Sequence, residues 1–134
     1  MKACSVFCVA MLVAVAVGCK PSGPKPAATT TSSVFAPLTG RWVRPDGGYM
    51  LMVHGVEADG KANVGYYNPN PIRVVNAQAM VEGDTLKLFV ELRDVGYPGC
   101  TYRLSYDKAR DRLVGVYYQA AQQQHYDIIF ERAW

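Results

Sequence analysis

Two pairs of carboxylates are the side chains of this 134-residue sequence that best suit general acid–base chemistry. Glu91 and Asp94 form one pair, and Asp107 and Asp111 form the other. Paired carboxylates can share the acid and base roles of a hydrolytic reaction. Both pairs also fit solvated strand and turn positions, which is the interpretation we favour. A minor hydrolase that uses a carboxylate near Asp94 is kept as an alternative.

Histidines and short catalytic motifs add little to this picture. His54 and His125 stand alone, without a histidine or cysteine at metal-ligand spacing, so we expect no metal site. The sequence has no Gly-x-Ser-x-Gly elbow, no His-Glu-x-x-His and no glycine-rich phosphate loop. We therefore expect neither catalysis nor a cofactor.

Three turn regions carry polar side chains that suit ligand binding. They are an Asn-Pro-Asn-Pro turn at 68–71, an Asp94 loop that continues into Tyr97-Pro98-Gly99, and a glutamine-rich turn at 119–124. In an up-and-down order of strands, these three connections share one end of the sheet. The alternative is ordinary turns, with tyrosines filling a small core. The candidate ligand-binding residues are Asn68, Asn70, Asp94, Tyr97, Gln119 and Gln122.

The first nineteen residues join a basic start to an apolar run and then to a cysteine. Lys2 precedes the apolar residues 6–17, and small residues lead into Cys19. This pattern resembles a bacterial lipoprotein signal, in which residues 1–18 are removed and Cys19 carries the diacylglyceryl and acyl chains. The alternative is a plain secretory signal or a single membrane anchor. Because Lys20, and not aspartate, follows the cysteine, the resemblance favours the outer membrane, facing the periplasm.

Residues 19–33 follow as a lipidated cysteine and a flexible linker, rich in proline and hydroxyl side chains. Removing Lys2 with the leader lowers the formal net charge from +3 to +2. A nearly neutral chain without a basic stripe is an unlikely partner for nucleic acid. Cys100 remains as the one cysteine of the 34–134 domain, so the domain has no internal disulfide.

Residues 34–134 alternate strand-like runs with turn signals about every ten residues, which is typical of an all-β sandwich or barrel. We expect an antiparallel up-and-down meander of about eight strands that closes into a small barrel. An open sandwich or half-barrel is the alternative. The predicted strands are 38–44, 49–57, 62–68, 72–81, 85–93, 101–106, 112–119 and 125–132.

Alternation of side chains also predicts a register for two of these strands. Placing Val90 opposite Leu104 sets Glu91 opposite Arg103 as a surface pair. Gly65 and Gly115 interrupt strands, and we expect each to permit a bend or a close approach of two backbones.

The sequence Leu38-Thr39-Gly40-Arg41-Trp42 resembles the Gly-x-Trp opening of lipocalin-like and avidin-like barrels. That resemblance implies that Trp42 plugs one end of the barrel beside a basic side chain, for which Arg132 is the candidate. It also implies a calycin-like binder of a small apolar or aromatic ligand, with an enclosed cavity. The stretch 89–99, with Gly115-x-Tyr117-x-Gln119-Ala120, resembles small uncharacterised bacterial envelope proteins.

Together these patterns predict a monomeric, lipid-anchored protein of the bacterial cell envelope. The lipid at Cys19 attaches the chain to the membrane. The domain is a non-catalytic binding or structural module. The expected partner is an envelope protein. A calycin-like small-molecule binder and the hydrolase near Asp94 are the alternatives.

Overall fold

The computed structural model describes residues 32–134 of the chain. The predicted leader 1–18, the lipidation site Cys19 and almost all of the linker lie outside the described residues. Within residues 32–134, no helix has the length and the apolar character needed to cross a membrane.

The domain is all-β, as predicted, with one short 3₁₀-helix, η1 (Ser33–Leu38), before the strands. The six-residue helix contains Pro37 and ends where Thr39 N–H bonds to Ala36 C=O. The strands are β1 (Gly40–Val43), β2 (Met50–Val56), β3 (Ala62–Tyr67), β4 (Pro71–Ile72), β5 (Val74–Glu82), β6 (Thr85–Asp94), β7 (Tyr97–Asp107), β8 (Arg112–Gln119) and β9 (Gln124–Ala133).

All nine strands belong to one antiparallel sheet in the order β4-β3-β2-β1-β9-β8-β7-β6-β5. The predicted meander is therefore confirmed, and the sheet takes the open, half-barrel alternative, because its ladder of hydrogen bonds does not close. Where the start of β3 approaches the edge strand β5, a single isolated bridge joins Lys61 to Gln78. The backbone N–H of Ala79 also donates to the carbonyl of Gly60 at 2.7 Å.

The structure has nine strands where eight were predicted, because the fourth predicted strand divides at Arg73. Residues before Arg73 pair with β3, whereas residues after it pair with β6 at the other edge of the sheet. The backbone of Arg73 is held at this corner by two hydrogen bonds. Its carbonyl accepts from Arg93 N–H at 3.0 Å, and its N–H donates to Asp94 Oδ2 at 2.9 Å. One continuous segment thus supplies both edges of the open sheet.

The predicted pairing of Glu91 with Arg103 is wrong by two residues. Glu91 lies opposite Thr101, and Arg103 lies opposite Phe89. The reason is the turn, because Tyr97-Pro98-Gly99 belongs to β7 and only Val95 and Gly96 connect the strands. The Glu91 carboxylate instead pairs along its own strand with Arg93, at 3.0 Å.

Gly115 lies where the backbones of the paired strands β8 and β7 approach closely, as the sequence led us to expect. A Cβ atom built on Gly115 would overlap the carbonyl oxygen of Arg103 and approach Leu104 Cα to 2.9 Å. Gly65 is less constrained, because its nearest neighbour is the hydroxyl end of Tyr67, a side chain at 3.0 Å. Of these two glycines, only Gly115 is required by a close approach of two backbones.

Alternate residues of each strand point inward and form one apolar core. Antiparallel order places all connections at two ends, which we name by their relation to Ser32. The near end holds Ser32, η1 and the turns at 57–61, 83–84 and 108–111, and the far end holds the loops at 44–49, 68–70, 95–96 and 120–123. The largest fully buried side chains are Trp42, Tyr66, Tyr102, Phe130, Leu38, Leu51, Leu88, Leu92, Leu104, Leu113, Val53 and Val56.

Candidate functional site

The far end of the sheet brings together the loops that the sequence predicted to share one side. It also includes the β1–β2 loop, which the sequence analysis did not select. Beneath these loops lies a cluster of tyrosines with a buried arginine, which we call the tyrosine cluster: Arg44, Tyr49, Tyr66, Tyr97, Tyr102 and Tyr117.

Arg44 is the buried cation of the tyrosine cluster, with 8% of its surface exposed. One guanidinium nitrogen donates to the Tyr102 hydroxyl at 3.0 Å, and two others donate to the Asp46 carboxylate at 2.9 and 2.5 Å. The guanidinium also lies 4.3 Å from the centre of the Tyr49 ring. Burial alone would lower the pKa of Arg44, but its bonds to Asp46 and Tyr102 raise the pKa overall. The buried guanidinium of Arg44 is thus protonated and paired with a carboxylate.

The tyrosine hydroxyls continue this network into the core. The hydroxyls of Tyr66 and Tyr102 are 2.9 Å apart, and one donates to the other. The Tyr102 ring stacks on Tyr117 with 4.6 Å between centroids and is tilted against Tyr66 at 5.5 Å. Burial is the main cause that raises the pKa of Tyr66, Tyr102 and Tyr117 above the ordinary tyrosine value. These hydroxyls therefore remain neutral hydrogen-bonding groups and cannot serve as bases near neutral pH.

Two of the predicted ligand-binding residues join directly at the far end. The side-chain amide of Asn68 donates to the Tyr97 hydroxyl at 2.6 Å, across 29 residues of sequence. The Tyr97 ring meets Tyr66 edge to face, with 6.2 Å between centroids. The β3–β4 loop is therefore attached to the first residue of β7 and, through it, to the tyrosine cluster.

Asp94 lies at the same end but is occupied by backbone groups. Its carboxylate accepts from the N–H of Arg73 at 2.9 Å and from the N–H of Val95 at 2.8 Å. These two bonds, in that order of importance, hold the pKa of Asp94 below its usual value. A general acid needs the opposite shift. Asp94 thus acts as a cap for the turn and for the corner at Arg73.

The remaining predicted residues make local contacts. Gln119 Oε1 accepts from Cys100 Sγ at 3.2 Å and from Ala121 N–H at 3.1 Å. Gln122 Oε1 accepts from the Tyr126 hydroxyl at 3.0 Å. Asn70 contributes its backbone carbonyl, which accepts from Asn68 N–H at 2.9 Å, and its side chain is exposed. The six candidates share one end, but they do not converge on one point.

Trp42 and Arg132 meet at the near end, away from those six residues. The two residues are opposite one another in the β1–β9 ladder, and the guanidinium lies 4.2 Å from the centre of the indole. Arg132 also donates to the carbonyls of Thr39 at 2.8 Å and Pro37 at 2.7 Å, and to the Asp111 carboxylate at 2.7 and 3.0 Å. The pair therefore fastens η1 over this end of the core.

Sequence reasoning missed Arg44, although a signal was present. Trp42 was expected to point inward, and alternation places the side chain two residues later on the same face. An arginine on an inward face needs buried partners, and tyrosine hydroxyls supply them. The spacing of Trp42 and Arg44 was therefore the signal that could have indicated a polar contact of Arg44 within the core.

Neither a metal site nor an enclosed cavity stands out in the part of the chain that the structure describes. Residues 32–134 contain no group of three histidine, cysteine, aspartate or glutamate side chains placed to hold a metal ion. The interior between the inward faces is occupied by aromatic and aliphatic core side chains, and two grooves lie on outer surfaces of the sheet. One of these grooves is lined by Met80, Lys87 and Arg103, and another by Pro45, Val114 and Ile129.

Comparison with known proteins adds no assignment: no family model, no curated protein and no solved structure matches this chain. The resemblance of the Gly40-x-Trp42 opening to lipocalin-like barrels therefore stays a prediction.

Proposed function

We propose that this chain is a lipid-anchored protein of the bacterial cell envelope whose β domain is a non-catalytic binding or structural module. Its partner is an envelope protein that contacts the far end. One observation carries the proposal. The chain reaches the domain at Ser32, whose N–H bonds to the carbonyl of Val56 at the near end, whereas the tyrosine cluster and its loops lie at the opposite end. An anchor at Cys19 would then leave the far end free for a partner.

The construction of the far end supports a binding role. Arg44 joins the β1–β2 loop to β7, and Asn68 joins the β3–β4 loop to β7. Fixed loops lose little conformational freedom when a partner binds, which favours affinity. The exposed side chains of Asn70 and Gln122 offer neutral amide groups above this rigid base. Tyrosine and amide side chains together suit protein recognition.

The alternative functions receive less support. A calycin-like binder requires internal space, and the described interior is filled by side chains such as Tyr66, Tyr102 and Phe130. A hydrolase that used Asp94 as its general acid would require a raised pKa, whereas the backbone bonds to Asp94 lower its pKa. A native mass spectrum of the purified protein would reveal a retained small molecule, which would favour the calycin-like alternative.

Site-directed photo-crosslinking in living cells tests the proposed contact. A photoreactive amino acid replaces Gln122 at the far end, and in a matched strain it replaces Asp84 in the near-end turn. Both positions are exposed. We expect a discrete protein adduct from position 122 at endogenous expression level and none of the same mass from position 84. Adducts that are absent at 122, or identical at both positions, would refute contact through the far end.

The anchor is tested separately by Cys19→Ala. We expect the unchanged chain to fractionate with membranes and to carry the mass of a diacylglyceryl group and an acyl chain. The variant should lose the lipid mass and retain residues 1–18. Cys100→Ala is the matched control, since Cys100 lies buried in the domain and should not affect fractionation. A purified wild-type chain whose mass lacks the diacylglyceryl and acyl groups, or that still carries residues 1–18, would rule out anchoring by lipid at this residue.

A further inference from the structure

Two apolar side chains at the near end lack a place in the core. Trp134 is 99% exposed, and Val34 on η1 is 53% exposed. The chain has only one other tryptophan, Trp42, and that residue is completely buried. A fully exposed indole is unusual for a residue with so much apolar surface. The exposed indole of Trp134 is therefore a candidate contact surface for a partner.

Both residues lie where the chain enters the domain from the predicted anchor. Val34 is two residues from Ser32, and Trp134 follows the last residue of β9, which ends at η1. Arg132 lies between η1 and Trp134, because its guanidinium donates to the Pro37 carbonyl of η1 at 2.7 Å and lies 6.0 Å from the centre of the Trp134 ring. Val34 and Trp134 thus lie at the same end of the domain.

Thirteen peptide steps separate Cys19 from Ser32. Even a fully extended chain of that length spans only about 45 Å, so an anchor at Cys19 keeps the near end close to the bilayer. The strands themselves carry the far end about 30 Å further away, since β9 has 10 residues. Such confinement raises the effective concentration of the membrane surface around Trp134 and makes a weak contact sufficient.

We infer that the near end of the domain rests on the membrane surface, with Trp134 seated in the interfacial region and Val34 beside it. This inference rests on the proposed lipid anchor. Tryptophan favours the membrane–water interface, because its ring is apolar and its N–H can still reach a polar partner. Lys108, exposed in the 108–111 turn of the same end, is compatible with anionic headgroups, whereas Arg110 in that turn is paired with Asp107 at 3.3 Å. The occupant of this surface is therefore the bilayer that holds the lipidated cysteine.

The test uses the lipidated full-length chain, reconstituted into vesicles of phosphatidylethanolamine and phosphatidylglycerol with brominated acyl chains. Bromine quenches tryptophan within the bilayer, whereas aqueous acrylamide quenches tryptophan in water. We expect Trp134 to be quenched by the bromolipids, to emit at shorter wavelength than in the Cys19→Ala chain without vesicles, and to be protected from acrylamide. The Trp134→Phe variant retains only the buried Trp42 and should lose the bromolipid response.

A control at the far end distinguishes a seated domain from one that lies on its side. Val95 is 93% exposed in the β6–β7 turn, so W134F/V95W moves the single exposed indole to the opposite end. That indole should be quenched by acrylamide and not by bromolipid. Equal bromolipid quenching at 95 and 134, or acrylamide quenching of Trp134 in protein that floats with the vesicles, overturns the inference and leaves the anchor standing. Protein that fails to float overturns the anchor, and this inference with it.

Discussion

At the scale of single residues, the far end depends on polar groups that satisfy one another inside an apolar core. Tyr102 is central, because its hydroxyl contacts both Arg44 and the Tyr66 hydroxyl. Substituting either of its two partners would therefore affect the whole network, since each substitution would leave a buried polar atom without a hydrogen bond. The sequence predicted tyrosines near this end, but the network could not be predicted, because its contacts join residues 36 and 58 positions apart.

Replacing Arg44 by methionine should destabilise the domain by about 1–3 kcal/mol, since it removes a buried hydrogen bond to Tyr102 and the partner of Asp46. Arg93→Met is the matched control, because the Arg93 side chain is 62% exposed in its pair with Glu91. Urea unfolding measures both variants, and the control midpoint should change little. Equal shifts in the two midpoints would show that the buried contacts of Arg44 stabilise the domain no more than the exposed contact of Arg93 does.

Alkaline pH should weaken the domain through Tyr66. Burial raises the pKa of Tyr66 above the ordinary value of 10.0, so the folded state keeps a proton that the unfolded chain releases. The unfolded state then binds fewer protons, and the free energy of unfolding falls as pH rises above about 10. Stability below that pH is unaffected by this group. Tyr66→Phe should flatten the alkaline decline in urea midpoints, and an unchanged slope would contradict the assignment.

At the scale of elements, alternation and turn residues predicted where most strands lie and which faces they bury. The strand 112–119 agrees with β8 at both ends, and Tyr117 faces Tyr126 as the shared faces require. The errors have local causes. The β6–β7 register shifted because a two-residue turn at Val95 and Gly96 replaced the longer loop expected around Pro98. The break at Arg73 depends on Asp94 and Arg93, which lie about twenty residues away and are invisible to local pattern.

The close approach of the β7 and β8 backbones should tolerate no side chain at position 115. In Gly115→Ala the new methyl group overlaps the Arg103 carbonyl, so one backbone must move, and we expect a loss of about 1–3 kcal/mol in unfolding free energy. Gly48→Ala is the control, because nothing lies within 4 Å of a Cβ built there. Thermal or urea unfolding of both variants provides the measurement. A Gly115→Ala domain as stable as the Gly48→Ala domain would mean that the strands separate without cost.

At the scale of the whole molecule, the domain is a sheet that curls until its edges nearly meet. β3 and β5 face each other along an open seam, which is joined at one end by the chain itself through Arg73. At the other end it is joined by the bridge of Lys61 to Gln78 and by the bond from Ala79 N–H to Gly60 C=O. The seam therefore has one isolated bridge, whereas β5 and β6 pair at eight positions. Regions with few such bonds open at lower free energy than the rest of a fold.

Gly60→Ala should loosen this seam selectively. Gly60 has a φ of 90°, which an alanine adopts only with strain, and its new Cβ would overlap the Ala79 carbonyl. The bridge at the near end of the seam should then open, while the paired strands β7 and β8 keep their hydrogen bonds. Native-state hydrogen exchange provides the measurement, with faster exchange expected at 62–64 and 74–79 and unchanged exchange at 101–106.

Gly83→Ala is the control, because Gly83 has a positive φ of 61° but open space around it, so this variant tests the effect of backbone strain alone. If Gly60→Ala accelerates exchange in β7 as much as along the seam, the two edges do not open independently, and the half-barrel behaves as one cooperative unit.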